Sequence, residues 1–197
     1  MLIRTWNVFH GNAVPPERRA FLAEMVRLAS ADDPDVLCLQ EVPAWALPRL
    51  GDWSGMRALG LHRQVRLAWA KERRVCHAVR IEAGGRFVTV ANLHASSVRD
   101  RRCQDAELLR AAVFAEAFAE PDDVLVLAGD FNTVIGESTT LDQLATPSWG
   151  FSEPIRGLDQ ILVRGAPASR PERWPEERRR VDGRLLSDHA PIETRIG

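Results

Sequence analysis

Short apolar runs recur along the chain, and most of them end in an acid, an amide or a histidine. Their length and their β-branched and aromatic content are typical of strands. The predicted strands cover residues 2–9, 36–39, 87–94, 125–128 and 158–163, and a last strand follows residue 190. Because helical patterns lie between several of these runs, the chain is predicted to mix strands and helices.

Two segments have the 3- and 4-residue apolar spacing of amphipathic helices. The first follows Pro15 and Pro16, which favour a helix start, and its stripe consists of Phe21, Leu22, Met25, Val26, Leu28 and Ala29. The second covers residues 100–120, and its apolar face consists of Ala106, Leu109, Val113 and Ala117. We expect both faces to pack against the protein core.

The remaining segments are rich in turn formers. Residues 43–60 are predicted as a short helix and a loop, and residues 65–70 and 75–81 as two strands. The pair Gly84 and Gly85 predicts a hairpin, which implies antiparallel pairing with the next strand. Residues 133–157 are predicted as a surface loop, and residues 165–184 as an exposed loop with a short strand.

The composition is that of an ordinary globular chain. With 197 residues, 45% of them hydrophobic and 27% charged, it is long enough for one well-cored domain, and no linker divides it. We therefore predict a single domain over residues 1–197. The net charge of -1 gives no overall sign of a polyanion partner, so any binding of nucleic acid has to come from local patches.

The cysteines and the start of the chain bear on the compartment. Cys38, Cys76 and Cys103 are widely spaced and odd in number, which argues against a disulfide framework or a zinc site. The chain contains no run of about 18 apolar residues and begins directly in a predicted strand. We expect a cytoplasmic protein without a membrane span; the oligomeric state is left open.

The polar residues at the strand ends are the candidate chemistry. A turn or a solvated side chain explains any one of them, because Gly, Asp and Asn are common turn formers. Their recurrence favours a site, and amide and carboxylate oxygens are ligands of hard cations. Gly129 also permits a close approach of the backbone. The residues are Asn7, Glu41, Asn92, His94, Asp130, Asn132, Asp159, Asp188 and His189.

Six segments that contain these residues, taken in order, resemble the signature blocks of the endonuclease/exonuclease/phosphatase superfamily. This superfamily includes deoxyribonuclease I, abasic-site endonucleases of the exonuclease III type, neutral sphingomyelinases and inositol-polyphosphate 5-phosphatases. The resemblance extends from residue 5 to residue 191. The segments are Thr5-Trp6-Asn7-Val8, Leu39-Gln40-Glu41-Val42, Asn92-Leu93-His94, Gly129-Asp130-Phe131-Asn132, Leu158-Asp159-Gln160-Ile161 and Ser187-Asp188-His189-Ala190-Pro191.

The resemblance implies a fold and a metal. The fold is a four-layer α/β sandwich, in which two mostly antiparallel mixed sheets pack face to face with helices outside. The site lies where strand ends meet at one rim. The implied cofactor is Mg²⁺ or Mn²⁺, with Glu41 as the principal ligand and Asn7 and Asp188 as further metal-site candidates.

The resemblance also implies the catalytic roles. Asp130 orients and deprotonates the attacking water, and Asn132 holds the phosphate or that water. His189 hydrogen-bonds or protonates a phosphate oxygen, with Asp159 behind it as its orienting partner. His94 matches a histidine of the deoxyribonuclease I and sphingomyelinase branches, where it protonates the leaving group, and it argues against abasic-site specificity.

The substrate is predicted only as a class. The leading hypothesis is a metal-dependent nuclease or related phosphodiesterase, with Asn92, Arg101 and Arg102 contacting the substrate. The arginines of residues 99–102 and 178–180 then track a phosphate backbone, although a solvated face explains both clusters as well. The alternatives are a phosphatase or phosphodiesterase of small or lipid-linked phosphates, and a catalytically silent binding module.

The chain departs from the family pattern in two places. The usual strand with a Ser-Arg ending between the second and third blocks is not evident, and residues 68–73 stand in for it. Asp159 is followed by Gln160, where an aromatic residue is common. Neither change removes a proposed catalytic group, but both bear on how the substrate is placed.

Overall fold

The computed structural model describes residues 1–59, 74–97 and 101–197, and the backbone of residues 63–66. The helices are α1 (Leu22–Ser30), α2 (Leu50–Ser54), α3 (Arg101–Phe118) and α4 (Thr139–Leu144). The strands are β1 (Leu2–Asn7), β2 (Ala13–Val14), β3 (Val36–Gln40), β4 (Arg63–Arg66), β5 (Val75–Ala83), β6 (Arg86–His94), β7 (Val124–Asp130), β8 (Asp159–Arg164), β9 (Glu172–Arg173), β10 (Arg180–Val181), β11 (Arg184–Leu186) and β12 (Ile192–Arg195). Residues 67–70 of the predicted strand 65–70, and residues 68–73, which stand in for the family's strand ending, lie outside the described residues.

Two larger sheets organise the chain. The first has the order β3-β1-β12-β9, with β1 parallel to β3 and antiparallel to β12. The second has the order β4-β5-β6-β7-β8, in which β6 and β7 are parallel and the other neighbours are antiparallel. A small third sheet, β10-β11-β2, was not predicted.

Three apolar layers separate the sheets and helices. Between the two large sheets lie Ile3, Val90, Val126, Ile161 and Ile192. The outer face of the first sheet packs on α1 and the outer face of the second packs on α3 and α4. This arrangement confirms the four-layer α/β sandwich with mixed, mostly antiparallel sheets and helices outside.

The alternation of side chains along each strand sets which residues reach the layer between the sheets. On β7, Val124, Val126 and Ala128 face the first sheet, whereas Leu125 and Leu127 face α3. Because the side chains alternate with a period of two residues, Asp130 also points into the layer between the sheets. The polar residues at the strand ends therefore lie at the rim of the apolar layer between the sheets.

The first helix starts later than predicted. Residues 15–20 are all exposed and not helical, and α1 begins at Leu22, after the buried Phe21. The prolines therefore do not open the helix. The reason is that residues 15–20 contain no large apolar side chain to pack on the sheet, and most of a helix's stability comes from such packing.

The predicted inner face of α3 is wrong. Ala106, Leu109, Val113 and Ala117 are all exposed. The buried face consists of Gln104, Glu107, Leu108, Ala111, Ala112 and Ala115. Its three alanines let the helix lie close to the sheet, and the carboxylate of Glu107 accepts hydrogen bonds from Ser96.

Two segments predicted as loops are more structured than expected. Residues 133–157 contain α4, whose N-cap Ser138 accepts a hydrogen bond from the N–H of Leu141. Residues 165–184 contain the buried Trp174 and Arg179. None of the helices in the described part of the chain is long and apolar enough to cross a bilayer.

Candidate active site

Six segments meet at one rim of the layer between the sheets. The first sheet brings Asn7, at the end of β1, and Glu41, directly after β3. In the second sheet, Asp130 at the end of β7 is in register with His94 on β6 and with Asp159 on β8. His189 lies in the turn before β12, and its ring contacts Asp159.

Asn7 joins acids from the two sheets. Its Nδ2 donates to Oδ2 of Asp130 at 3.0 Å and to Oε1 of Glu41 at 3.2 Å. Its Oδ1 accepts the N–H of Phe9 at 3.1 Å, which fixes the orientation of the amide. In this arrangement Asn7 turns its nitrogen toward the two carboxylates.

The charge of Asp130 is disfavoured at this rim. Burial and the nearby charge of Asp159 raise the pKa of Asp130 to about 6, against the opposing effects of His189, Asn7 and Asn132. Its Oδ1 accepts the backbone N–H of Asn132 at 3.0 Å. Asp130 can therefore take up and release a proton near neutral pH.

The charged form of His189, unlike that of Asp130, is favoured at this rim. Its Nδ1 lies 3.0 Å from both carboxylate oxygens of Asp159, and its Nε2 lies 3.7 Å from Oδ2 of Asp130. Burial lowers the pKa of His189, but the hydrogen bond and charge of Asp159, with the charges of Asp130 and Asp188, outweigh it and raise the pKa to about 9. His189 is therefore an imidazolium at neutral pH.

His94 lies beside the same acids but is neutral. Its Nε2 is 3.5 Å from Oδ2 of Asp130 and 3.7 Å from Oε1 of Glu41. Burial, together with the charge of Arg74, lowers the pKa of His94 to about 3. A neutral imidazole can donate one N–H, so His94 can hydrogen-bond a substrate oxygen without acting as a general acid.

His10 was missed by the sequence reasoning. Its Nε2 lies 3.2 Å from Oε2 of Glu41, and the residue has a positive φ of 54°. The turn that places it ends at Gly11, where an added Cβ would lie 2.8 Å from the side chain of Leu22. The available signal was the His-Gly pair directly after the first predicted strand.

Asn132 and Asn92 both make hydrogen bonds within the protein. Nδ2 of Asn132 donates to the carbonyl of Ala95 at 2.8 Å. Nδ2 of Asn92 donates to the carbonyl of Leu39 at 3.1 Å, and its Oδ1 accepts from Nε2 of Gln40 at 2.8 Å. Asn92 thus links the two sheets below the cluster, and its predicted contact with substrate stays a prediction.

The other predicted residues lie further out. Asp188 is exposed beside the buried Ser187, and its charge helps to raise the pKa of His189. Arg101 and Arg102 are exposed on the first turn of α3, where Arg101 pairs with Glu137 at 3.0 Å. Arg99 lies outside the described residues.

The arginines of residues 178–180 do not form the basic surface that was considered from the sequence. Arg178 stacks on Trp174, 3.6 Å from the ring centroid, and pairs with Glu193. Arg180 pairs with Glu176 at 3.1 Å. Arg179 is buried and donates to backbone carbonyls of the turn that carries His189.

The donor set fits a hard cation. Glu41, Asp130 and Asp159 bring three carboxylates to this rim, and burial together with the charge of Asp159 raises the pKa of Asp130. Asp130, Asp159 and His189 also offer ligand atoms within 4.8 Å of one another. Because Nδ1 of His189 is engaged with Asp159, the carboxylate of Glu41, which is not part of this group, is the better match for Mg²⁺ or Mn²⁺.

Comparison with known proteins agrees with the fold. A family model described as "Endonuclease/Exonuclease/phosphatase family" matches residues 5–189. No curated protein sequence matches the chain significantly.

Solved structures with the same fold cover the whole chain. A conserved protein of unknown function from Enterococcus faecalis V583 is 18% identical, with a TM-score of 0.79 over 100% of this chain and 99% of that one. TDP2 from D. rerio, complexed with single-strand DNA product, is 17% identical, with a TM-score of 0.72 over 100% and 98%. An endonuclease/exonuclease/phosphatase from Beutenbergia cavernae DSM 12333 is 17% identical, with a TM-score of 0.72 over 100% and 72%.

Proposed function

This chain belongs to the endonuclease/exonuclease/phosphatase family, and we propose that it is a divalent-metal-dependent hydrolase of phosphodiesters. The observation that carries the proposal is the contact of Glu41 and Asp130, acids from different sheets, with the one side chain of Asn7. Beside them lies the imidazolium of His189, held by Asp159. A base, a cation-binding acid and a proton donor at one rim are the groups that attack of water on phosphorus requires.

Asp130 is the proposed general base, which orients and deprotonates the attacking water. A pKa of about 6 suits this role, because a base works best when its pKa lies near the operating pH. Asn132 is proposed to hold the water or the phosphate. Its backbone N–H already fixes one oxygen of Asp130, so the two side chains are set relative to each other.

His189 is proposed to donate a hydrogen bond or a proton to a phosphate oxygen from Nε2. Its other nitrogen, Nδ1, faces Asp159, which keeps the ring oriented and favours the charged form. His94 is proposed to contact the leaving oxygen. Since it is neutral, it acts by donating its ring N–H rather than as an imidazolium.

Glu41 is the proposed principal metal ligand, with Asn7 and Asp188 as further candidates and Mg²⁺ or Mn²⁺ as the ion. When bound, such a cation polarises a phosphoryl oxygen and offsets the charge that develops on the leaving oxygen. For Asn7 to be a ligand, its amide oxygen, which now accepts the N–H of Phe9, has to face the ion.

Nucleic acid is the first substrate class to consider. The support is the likeness in fold to D. rerio TDP2, whose structure contains a single-strand DNA product. In this class Arg101 and Arg102, on the first turn of α3, would contact the phosphate backbone.

A small or lipid-linked phosphate is the second candidate. The observation that favours it is that Arg101, Arg178 and Arg180 each pair with a carboxylate of the protein. A net charge of -1 adds no general attraction for a polyanion.

The function is tested with bis(4-nitrophenyl) phosphate and a single-stranded DNA oligonucleotide, each with Mg²⁺, Mn²⁺ or EDTA. We expect diester turnover with a metal and none with EDTA. A nucleic-acid hydrolase loses kcat/KM steeply between about 50 and about 200 mM salt, because each phosphate contact releases counterions, whereas a small-phosphate hydrolase does not. Absence of metal-dependent turnover of both substrates would contradict the proposal.

A further inference from the structure

A buried arginine lies under the turn that carries His189. Arg179 ends a 3-10 helix, Glu176–Arg179, and only 7% of its surface is exposed. Its Nη1 donates to the carbonyl of Ser187 at 2.7 Å and to that of Leu186 at 2.9 Å, and lies 3.3 Å from the carbonyl of His189. One nitrogen of the guanidinium, Nη1, thus contacts three carbonyls of one turn.

The same turn is held on its other side by β1. Ser187 has a positive φ of 60°, and its hydroxyl donates to the carbonyl of Asn7 at 2.6 Å. That hydroxyl also accepts the N–H of His189 at 3.1 Å. Nε1 of the buried Trp6 donates to the carbonyl of His189 at 2.9 Å. The carbonyls of Leu186, Ser187 and His189 therefore all face donor groups of the protein.

Arg179 donates to the carbonyls of Leu186 and Ser187, whereas the carbonyl of His189 also accepts from Nε1 of Trp6. Removing a donor from buried carbonyls leaves them unsatisfied, which is costly, so the turn is expected to rearrange toward water. Such a rearrangement moves the Cα of His189 and with it the contact of Nδ1 with Asp159. Misplacement of a reacting group by about 1 Å can cost about 100-fold in rate.

We propose that Arg179 is a positioning residue, which fixes residues 186–189 so that the imidazole of His189 faces Asp159 and Asp130. The inference rests on the proposed function, in which His189 contacts the phosphate. It assigns to Arg179 the support of the turn, in place of the anion contact considered for the arginines of residues 178–180. Arg179 itself contacts no substrate.

The first test compares kcat and KM of three variants on bis(4-nitrophenyl) phosphate. Arg179→Met should lower kcat by about 10- to 100-fold with less than about a twofold change in KM. Arg179→Lys should lose about 3- to 10-fold, because the shorter ammonium reaches fewer of the carbonyls. Arg184→Lys is the matched control, since Arg184 pairs with Glu17 at the surface and should keep the wild-type values.

A double-mutant cycle separates positioning from a general loss of stability. If Arg179 acts through His189, adding Arg179→Met to His189→Ala should lower kcat by less than about twofold more. A further loss as large as in the wild-type background would overturn the proposal, as would wild-type kcat in the folded Arg179→Met protein. If Arg179→Met does not fold, Arg179→Lys takes its place in the cycle, and wild-type kcat in that variant overturns the proposal.

A measurement without turnover keeps this inference separate from the proposed function. The Nδ1 proton of His189, bonded to Asp159, should give a protected imidazole signal in ¹H–¹⁵N NMR, assigned by its loss in His189→Ala. We expect the signal to weaken or vanish in folded Arg179→Lys and to persist in Arg184→Lys. Persistence in both variants would overturn the role of Arg179, even if the wild-type protein hydrolyses no phosphodiester.

Discussion

The two histidines at the rim show how neighbours decide what one residue type can do. His189 and His94 are both partly buried, and burial alone lowers the pKa of each. Asp159 reverses the effect at His189, whereas the cation of Arg74 reinforces it at His94. One ring is therefore charged and the other neutral at the same rim, and only the charged one is suited to stabilise an anionic phosphate.

The pH dependence follows from His189 and its partner. A pKa raised to about 9 means that the imidazolium is present below that pH and is lost as the pH rises through it, so kcat should fall on the alkaline side. Asp159→Asn removes the carboxylate charge, so the pKa of His189 falls and the alkaline limb should move to lower pH. The measurement is kcat against pH for the wild type and for Asp159→Asn. If the alkaline limb lies at the same pH in both, the role of Asp159 is contradicted.

Single residues could be predicted where their type and place in the chain carried the signal. The structure brings to one rim five residues that each lie at or near the end of an apolar strand: Asn7, Glu41, Asp130, Asp159 and His189. His10, Gln40 and Arg179 escaped prediction because their importance lies in contacts with residues far away in the chain. Nothing in the local sequence around Arg179 distinguishes a buried arginine from the exposed ones beside it.

At the scale of elements, the parallel pair of β6 and β7 sets the spacing of His94 and Asp130. Gly129 has a φ of +135° and lies against Leu93, so that an added Cβ would be 1.9 Å from the carbonyl oxygen of Leu93. The sequence indicated a close approach at Gly129, to a ligand or in a turn. The approach is instead to the neighbouring strand, one residue before the proposed base.

Gly129→Ala is therefore expected to destabilise the protein by about 3 kcal/mol or more, because backbone strain and overpacking each cost about 1–3 kcal/mol. Gly136→Ala is the matched control. Gly136 also has a positive φ, of +78°, but no atom lies within 4 Å of its added Cβ, so the cost should be about 1 kcal/mol. Urea unfolding measures the free energy of unfolding of both variants. Equal losses in Gly129→Ala and Gly136→Ala would contradict the account of Gly129.

Helix α3 shows where pattern reasoning fails at this scale. Its sequence offers two apolar stripes, and the one that includes Leu109 and Val113 points to solvent. The other stripe is buried because its alanines allow close packing and because Glu107 bonds the turn after His94. Periodicity identifies a helix but does not choose between two faces when the buried one contains a carboxylate.

At the scale of the whole molecule, the site is the polar end of an otherwise apolar layer. Val90 and Val126 fill the space between the sheets, and on the same strands the alternation continues to His94 and Asp130. The four layers themselves came from the resemblance to a family, since strand patterns do not tell which sheets face each other. The small sheet of β10, β11 and β2 was missed because its strands have only two or three residues each.

The central claim is that residues from two sheets form one hydrolytic site with Asp130 as its base. The most direct test is kcat of Asp130→Asn on bis(4-nitrophenyl) phosphate with Mg²⁺ or Mn²⁺, alongside Asp52→Asn, which removes an exposed carboxylate of α2. We predict a loss of about 100-fold or more for Asp130→Asn, since general base catalysis contributes about 10²–10⁴-fold, and no change for Asp52→Asn. Wild-type kcat in a folded Asp130→Asn protein would contradict the account.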